Sequence, residues 1–187
     1  ALEYVNENGS LKNFFGIRYI DKIPIDIDKQ DRSDEKTLDI LRSIILELEE
    51  ADIGYESFQS YFSGSGYHLI LSGALFNFKP GADLPFIVKQ TIKKLLPEVD
   101  SSIYMRTGIY RLQHTINYKT DLYKIPLSKD EVMNKEAKEI IELAKSSRID
   151  FKYHELVGNG ELENHVITEV PDIRVFNKIS EPNKIIP

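Results

Sequence analysis

The stretch IPIDIDKQD (residues 23–31) carries two aspartates, Asp26 and Asp28, in an apolar run that is typical of a buried strand. Side chains two positions apart on a strand point to the same face, so both carboxylates leave the sheet on one side, less than about 7 Å apart. Like charges at that spacing raise the pKa of one carboxyl group or bind a cation. The pair therefore indicates a Mg²⁺ or Mn²⁺ site, and a strand end with two solvated carboxylates is the alternative interpretation.

The elements around this strand follow a defined order. Hydrophobic patterns predict strand, helix, strand, strand, helix and strand, in turn at residues 17–28, 34–51, 54–63, 66–72, 82–98 and 100–106. This βαββαβ series is that of ferredoxin-like or RRM-like folds. The fold class predicted is therefore α/β, of the α+β kind, with the strands of Asp26 and His68 as neighbours.

The rest of the chain is expected to continue the same domain. Residues 109–128 alternate aromatic, apolar and basic side chains, as a strand pair or an extended loop would. Residues 130–147 place apolar side chains on one helical face and predict a further helix. Because the chain has 187 residues and no internal repeat, we expect a single domain over residues 1–187.

The composition excludes several classes of protein. With 41% hydrophobic and 29% charged residues, the chain resembles a soluble globular protein, and no apolar run approaches the roughly 18 residues of a membrane helix. The absence of cysteine excludes a disulfide framework and a cysteine-containing zinc site, and it fits a reducing compartment. We therefore expect a cytoplasmic protein without a membrane partner.

The charge of the chain is unevenly distributed. The net charge is −6, but from Ser101 to Lys129 five basic residues stand against Asp121 alone, which gives a local charge of +4. Tyrosines are interleaved with these cations, a combination that suits contact with phosphates and bases. Arg106, Tyr110 and Lys124 are the candidate nucleic-acid contacts, and a solvated strand face is the alternative.

Two further features add polar groups near the aspartate pair. Ser63 and Ser65 alternate with glycines just before His68, so backbone amides, hydroxyls and an imidazole could together meet a phosphate. A plain hairpin turn would have the same composition. Asp100 begins the last predicted strand and could supply a third carboxylate, or it could be an ordinary turn residue.

Read in order, the segments IPIDID, SGSGYHL and DSSIYMRTGIYRLQHTINYKTDLYKIPL resemble the three motifs of the archaeo-eukaryotic primase superfamily, in particular its primase-polymerase group. That family has an hDhD strand, a strand-entry motif ending in histidine, and an aspartate followed by an arginine- and lysine-containing segment. The resemblance covers residues 17–128, with residues 129–187 as a C-terminal helix and tail of the same domain.

The resemblance implies an RRM-like palm beside a small additional α/β module. It implies a DNA primase or DNA polymerase that joins dNTPs or NTPs on a DNA template or primer, in a bacterial, archaeal or phage and plasmid replication context. Asp26, Asp28 and Asp100 would be the catalytic residues and would hold two divalent ions, Mg²⁺ or Mn²⁺. A helicase or an accessory domain would be a further partner.

The resemblance also implies which residues contact the nucleotide. His68 would contact the triphosphate, with Ser63 and Ser65 as weaker candidates. Arg111 and Lys119 would bind the triphosphate or the template.

The chain departs from the family pattern in two places. Relatives often have a serine just before the histidine, where this chain has Tyr67. Relatives often read Lys-Thr-Gly where this chain has Lys119, Thr120 and Asp121, which places a carboxylate near the predicted phosphate path.

Other functions remain open from the residues. A non-catalytic RRM-like domain that binds single-stranded nucleic acid would account for the tyrosines but not for the aspartates, and the RNP aromatic pattern is missing. A rolling-circle nuclease on a similar sheet would need paired histidines, and the sequence contains no H-x-H.

Overall fold

The computed structural model describes residues 2–10, 16–104 and 110–167. Its helices and strands, in chain order, are α1 (Leu2–Asn8), β1 (Lys22–Ile27), α2 (Asp34–Glu50), β2 (Phe58–Phe62), β3 (Tyr67–Ser72), α3 (Leu84–Leu95), β4 (Ile116–Asn117), β5 (Leu122–Tyr123), β6 (Ile125–Leu127), α4 (Lys129–Asn134) and α5 (Ala137–Leu143). None of the helices in these ranges is long and apolar enough to span a membrane.

The main sheet contains four strands in the order β1–β3–β2–β6, and each neighbouring pair is antiparallel. β4 and β5 form a separate two-stranded hairpin. The strands of Asp26 and His68 are neighbours, as predicted, and these two residues lie directly opposite each other. The protein therefore has a mixed α+β fold built on an antiparallel sheet.

The two faces of the sheet differ because side chains alternate along each strand. On β1, Ile23, Ile25 and Ile27 are at most 1% exposed, whereas Pro24 and Asp26 are partly exposed on the opposite face. The buried face packs against the apolar sides of α2, α3, α4 and α5 in a single core, to which these helices contribute Leu38, Leu41, Ile45, Val88, Ile92, Val132 and Ile140. The other face carries the polar side chains.

The strand predicted over residues 100–106 is reduced to a single bridge at Asp100. The amide of Asp100 donates to the carbonyl of Asp26 at 3.0 Å, in antiparallel pairing. The chain then turns, because the Asp100 carboxylate accepts hydrogen bonds from the amide and the hydroxyl of Ser102, both at 2.7 Å. The strand prediction is therefore wrong for residues 101–104, since this local turn competes with extended pairing. Arg106 lies outside the described residues.

The predicted C-terminal helix is instead two short helices separated at Lys135 and Glu136. Both residues have extended backbone conformations, with ψ angles of 146° and 154°. Side chains of helix α2 form hydrogen bonds with backbone groups beside this break. The Arg42 guanidinium donates to the Lys135 carbonyl at 2.6 Å, and the Glu35 carboxylate accepts from the Ala137 amide at 2.9 Å. A hydrophobic pattern cannot reveal this break because its partners come from a distant helix.

Helix α4 begins with a capping box that makes a testable contribution to stability. The Ser128 hydroxyl accepts from the Glu131 amide at 3.1 Å, and the Glu131 carboxylate accepts from the Ser128 amide at 2.9 Å. We expect Ser128→Ala to lower the free energy of unfolding by about 1 kcal/mol in urea titrations. The exposed Ser146→Ala is the control and should change it by less than about 0.5 kcal/mol. Equal effects of the two substitutions would contradict this role of the cap.

Candidate functional site

Asp26, Asp28 and Asp100 meet at the end of β1. One carboxylate oxygen of each residue lies within 4.8 Å of those of the other two. The backbone explains the convergence, since Asp28 comes just after the strand and Asp100 forms a bridge with Asp26. The structure therefore brings together all three carboxylates that the sequence singles out.

The electrostatics of this cluster favour a cation. The pKa of Asp28 is raised, first by partial burial and then by the negative charges of Asp26 and Asp100, while the Lys119 ammonium acts in the opposite direction. Three carboxylates this close supply hard oxygen ligands with more negative charge than the nearby lysine balances. The residues therefore fit a divalent ion such as Mg²⁺ or Mn²⁺.

His68 contacts the carboxylate cluster directly. Its Nε2 atom lies 3.3 Å from Oδ1 of Asp26, and the side chain is almost fully buried. Burial lowers the pKa of the imidazole, although the hydrogen bond to Asp26 opposes this shift. A neutral imidazole that donates from Nε2 would orient the Asp26 carboxylate, as partners of metal ligands do. The predicted contact between His68 and a triphosphate stays a prediction.

The Ser-Gly turn between β2 and β3 uses its own polar groups. The Ser63 amide donates to the Gly66 carbonyl at 2.8 Å, and the Gly66 amide donates to the Ser63 hydroxyl oxygen at 3.2 Å. The Arg111 guanidinium donates to the Ser63 carbonyl at 2.6 Å. The turn is therefore closed by Ser63 and connected to the basic segment by Arg111.

Asn117 is a site residue that the sequence did not indicate. It is 3% exposed, its amide nitrogen donates to the Ser65 hydroxyl at 3.4 Å, and its amide oxygen accepts from the Lys119 backbone amide at 3.1 Å. It therefore connects the Ser-Gly turn to the segment that carries Lys119. An asparagine just before a tight turn is a recognisable turn signal, but only the tertiary structure shows the contact with Ser65.

Asp121 occupies a backbone conformation that favours glycine. Its φ angle is +55°, in the left-handed region, and its amide donates to the Asn117 carbonyl at 2.8 Å. Aspartate adopts this region more readily than most residues do. Asp121 therefore adopts a turn conformation that is also open to glycine.

The basic segment contributes both surface and interior side chains. The Lys119 ammonium lies 5.8 Å from the ring centroid of Tyr118, which is 83% exposed. Lys124 is 2% exposed, and its ammonium donates to the Arg111 carbonyl at 2.8 Å. Lys124 therefore does not lie on a surface that nucleic acid could contact in this conformation, because its stem and ammonium are enclosed by the fold.

The ring of Tyr110 packs between His68 and Lys124. Its ring centroid lies 4.5 Å from that of His68. The Lys124 ammonium lies 4.1 Å from the ring centroid of Tyr110 and 4.9 Å from that of Tyr61. Burial is the largest cause that raises the pKa of Tyr110, and its hydroxyl has no hydrogen-bond partner among the described residues. The ring separates His68 from Lys124 instead of forming an open stacking surface.

A scan against protein-family models, a search of curated proteins and a search of solved structures found no match to this chain.

Gly66 allows the close approach of β3 to the end of β1. A Cβ atom at this position would lie 2.5 Å from the Ile27 carbonyl oxygen and 3.4 Å from the Asp28 Cα. We expect Gly66→Ala to lower the free energy of unfolding by about 1–3 kcal/mol in urea titrations, because backbone must move. Gly81→Ala is the matched control, since nothing lies within 4 Å of its added Cβ. If Gly66→Ala is as stable as Gly81→Ala, the backbone at the end of β1 can move away from the added methyl group without a cost in stability.

Lys124 gives a prediction about pH. Burial and the Arg111 charge lower the pKa of Lys124 to about 7, while the Asp26 charge opposes this. Between pH 7 and 10 the unfolded chain therefore binds a proton that the folded chain does not, so stability should rise with pH. Relative to Lys124→Met, the wild-type protein should gain up to about 1.4 kcal/mol per pH unit.

The measurement is urea unfolding at several values of pH for the wild-type protein, Lys124→Met and the exposed control Lys94→Met. The control should keep the pH dependence of the wild type, whereas Lys124→Met should lose part of it. Parallel stability curves for all three proteins would mean that Lys124 is charged in the folded state throughout this range.

Proposed function

We propose that this chain is the catalytic domain of a primase-polymerase, a DNA-directed nucleotidyltransferase that adds dNTPs or NTPs to a primer on a DNA template. The observation that carries the proposal is the convergence of Asp26, Asp28 and Asp100 at one strand end, in contact with His68 and beside a basic segment. A carboxylate cluster next to cations is what transfer of a nucleotide from a triphosphate requires.

The strand arrangement supports a palm of the archaeo-eukaryotic primase kind. The bridge at Asp100 lies beside β1 on the side away from β3, so it takes the place that the last strand of a βαββαβ series would have. The β4–β5 hairpin would then belong to the smaller additional module, whereas β6, α4 and α5 extend the sheet and the core of the palm itself. This assignment rests on strand order and on the motif resemblance.

The three aspartates would hold two divalent ions, Mg²⁺ or Mn²⁺. When bound, such ions lower the pKa of the attacking primer hydroxyl and neutralise charge on the triphosphate and the leaving pyrophosphate. The protein's own contribution would be to orient Asp26 through His68 and to bind phosphate oxygens with Arg111 and Lys119. No side chain has to act as a nucleophile.

The rival function, a non-catalytic RRM-like domain that binds single strands, has less support from the sheet. Such a domain needs aromatic side chains on an open sheet face, on which bases stack. Here Tyr61 is 7% exposed, and the segments at residues 110–113 and 153–156 lie over that face. Tyr61 on this sheet face is therefore covered by the protein itself and does not form an open stacking surface.

DNA template, primer and nucleoside triphosphate are the partners that this function requires, with a helicase or an accessory domain as a further partner. Tyr118 and Lys119 are exposed residues of the basic segment through which this domain would contact the DNA. A replication context in a cytoplasmic compartment is part of the same proposal.

The proposal is tested by primer extension with labelled nucleotides and Mg²⁺ or Mn²⁺. We expect Asp26→Asn with Asp28→Asn to reduce incorporation at least about 100-fold, because the ligand charges are removed. The melting temperature should hold or rise, since like charges no longer repel each other. Asp31→Asn, an exposed carboxylate in the adjacent loop, is the matched control and should keep the wild-type rate.

Two outcomes would contradict the proposal. Extension by the double variant near the wild-type rate would mean that the carboxylates are not metal ligands in the reaction. Binding of single-stranded DNA by a folded wild-type protein that incorporates no nucleotide would favour the binding module instead.

A further inference from the structure

The tip of the β4–β5 hairpin carries an aromatic ring that the fold leaves in solvent. Tyr118 is 83% exposed, whereas Tyr61 and Tyr104 are each 7% exposed. The Lys119 ammonium lies 5.8 Å from the centroid of the Tyr118 ring, at the same tip. An aromatic face in water gains free energy when another flat, apolar surface covers it. The Tyr118 ring is therefore accessible for stacking on a ligand.

Hydrogen bonds to Asn117 fix the loop that presents this ring. The Asn117 carbonyl accepts from the amides of Thr120 and Asp121 at 3.1 and 2.8 Å. Its side-chain oxygen accepts from the Lys119 amide at 3.1 Å, and Asn117 itself is buried. Three backbone amides of the loop at residues 118–121 are thus bonded before a ligand arrives, so little backbone order has to be gained on binding.

The base of the hairpin packs on the Ser-Gly turn that leads into β3. The Asn117 amide nitrogen donates to the Ser65 hydroxyl at 3.4 Å, and a Cβ atom added to Gly64 would lie 2.8 Å from the Asn117 Cβ. The Tyr123 amide donates to the carbonyl of Ala144, the residue after α5, at 2.8 Å. The hairpin is therefore joined both to the main sheet and to the C-terminal helices.

The tip of the hairpin lies close to the carboxylate cluster. The Lys119 ammonium is near enough to Asp28 to oppose the rise in the pKa of that carboxyl group. Tyr118 is the adjacent residue, and neighbouring Cα atoms are about 3.8 Å apart. A DNA strand that reaches the carboxylate cluster can therefore also reach Tyr118.

The charges of the tip cancel each other. Lys119 and Asp121 are both exposed, and no other residue of 118–121 is charged. A phosphate group would be attracted by the first side chain and repelled by the second, so the loop by itself supplies little affinity for a DNA backbone. The face of the Tyr118 ring is what remains for recognition, and it suits a nucleobase because every base has a π-face.

We propose that Tyr118 stacks on an unpaired base of the DNA template, in the single-stranded stretch beyond the end of the primer. Inside a duplex both faces of a base are covered by its neighbours, whereas an unpaired base has a face that a protein ring can cover. The incoming nucleotide suits this position less well, because its base pairs with the template and stacks on the primer end. This role rests on the proposed function, since it assigns Tyr118 to the template of that reaction.

The test is fluorescence anisotropy of a labelled single-stranded oligonucleotide, in EDTA so that no metal takes part. We expect Tyr118→Ala to weaken binding about 5- to 100-fold, the range for loss of one stacked base. Tyr118→Phe keeps the ring and should bind within about 2-fold of the wild type. Tyr19→Ala removes an 80% exposed ring before β1 and is the matched control, which should keep the wild-type affinity.

Two further comparisons separate stacking from a charge contact. An oligonucleotide of abasic sites keeps its phosphates, so removal of the bases should weaken binding by the wild-type protein more than binding by Tyr118→Ala. The loss caused by Tyr118→Ala should be the same at about 50 and about 200 mM salt, whereas the loss caused by Lys119→Ala should shrink as salt rises. For a long duplex, whose bases are paired, Tyr118→Ala should make no difference.

Four results would overturn the inference. These are an absence of single-strand binding by the wild-type protein, equal affinity of Tyr118→Ala and Tyr19→Ala, an equal loss for Tyr118→Phe and Tyr118→Ala, or equal effects of base removal on the wild-type protein and on Tyr118→Ala. A rise in the nucleotide KM of Tyr118→Ala with unchanged DNA affinity would place the ring on the incoming nucleotide and would reject the template.

The stacking and the proposed function can fail separately. If Tyr118→Ala loses single-strand affinity but the wild-type protein extends no primer, the nucleotidyl transfer is rejected and the stacking on single strands stands. If the wild-type protein extends primers and Tyr118→Ala keeps its DNA affinity, the stacking alone is rejected. The melting temperature of each variant should match that of the wild type, because the exchanged rings are exposed.

Discussion

The antiparallel register of β1 determines most of the site. On one side Asp26 pairs with His68 of β3, and on the other side its carbonyl accepts the amide of Asp100. A shift of one residue in this pairing would turn Asp26 into the core and bring isoleucine side chains to the polar face. The full burial of Ile23 and Ile25 opposes such a shift, so the same apolar residues that stabilise the core also fix the positions of the carboxylates.

The carboxylate cluster is held against its own repulsion. Partial burial first, and then the negative charges of Asp26 and Asp100, raise the pKa of Asp28, so ionisation of Asp28 costs the folded protein free energy. Such local costs are common where function sets the arrangement of side chains. This electrostatic cost is offset by the apolar core under β1 and by the hydrogen bonds that Ser102 donates to Asp100.

The sequence was sufficient where one local pattern determines the structure. The apolar periodicity of α2 and the alternation along β1 predicted those elements and the shared face of Asp26 and Asp28, because both depend on neighbouring residues. Prediction from the sequence failed where residues that are distant along the chain determine the local structure. Arg42 and Glu35 of α2 stabilise the break at Lys135 that no pattern in the C-terminal helix indicates.

Lys124 shows the same limit at the level of a single side chain. A lysine among tyrosines in a basic segment suggests a solvated strand face or a contact with nucleic acid, and sequence alone cannot distinguish either from an interior position. The structure places its stem and ammonium against the rings of Tyr61 and Tyr110, with the ammonium bonded to a backbone carbonyl. Long cationic side chains can cover apolar surface in this way.

The helix α1 at Leu2–Asn8 is a further element that the sequence patterns did not predict.

The interior position of Lys124 also explains how the two loops beside the carboxylates become one structure. Its ammonium holds the carbonyl of Arg111, and the guanidinium of Arg111 holds the carbonyl of Ser63 at the turn that precedes β3. Asn117 makes a second connection, from Ser65 of that turn to the amide of Lys119. Since groups fixed by hydrogen bonds need less reorganisation when a charged ligand binds, this network would keep the Arg111 guanidinium and the Lys119 backbone in place before any phosphate arrives.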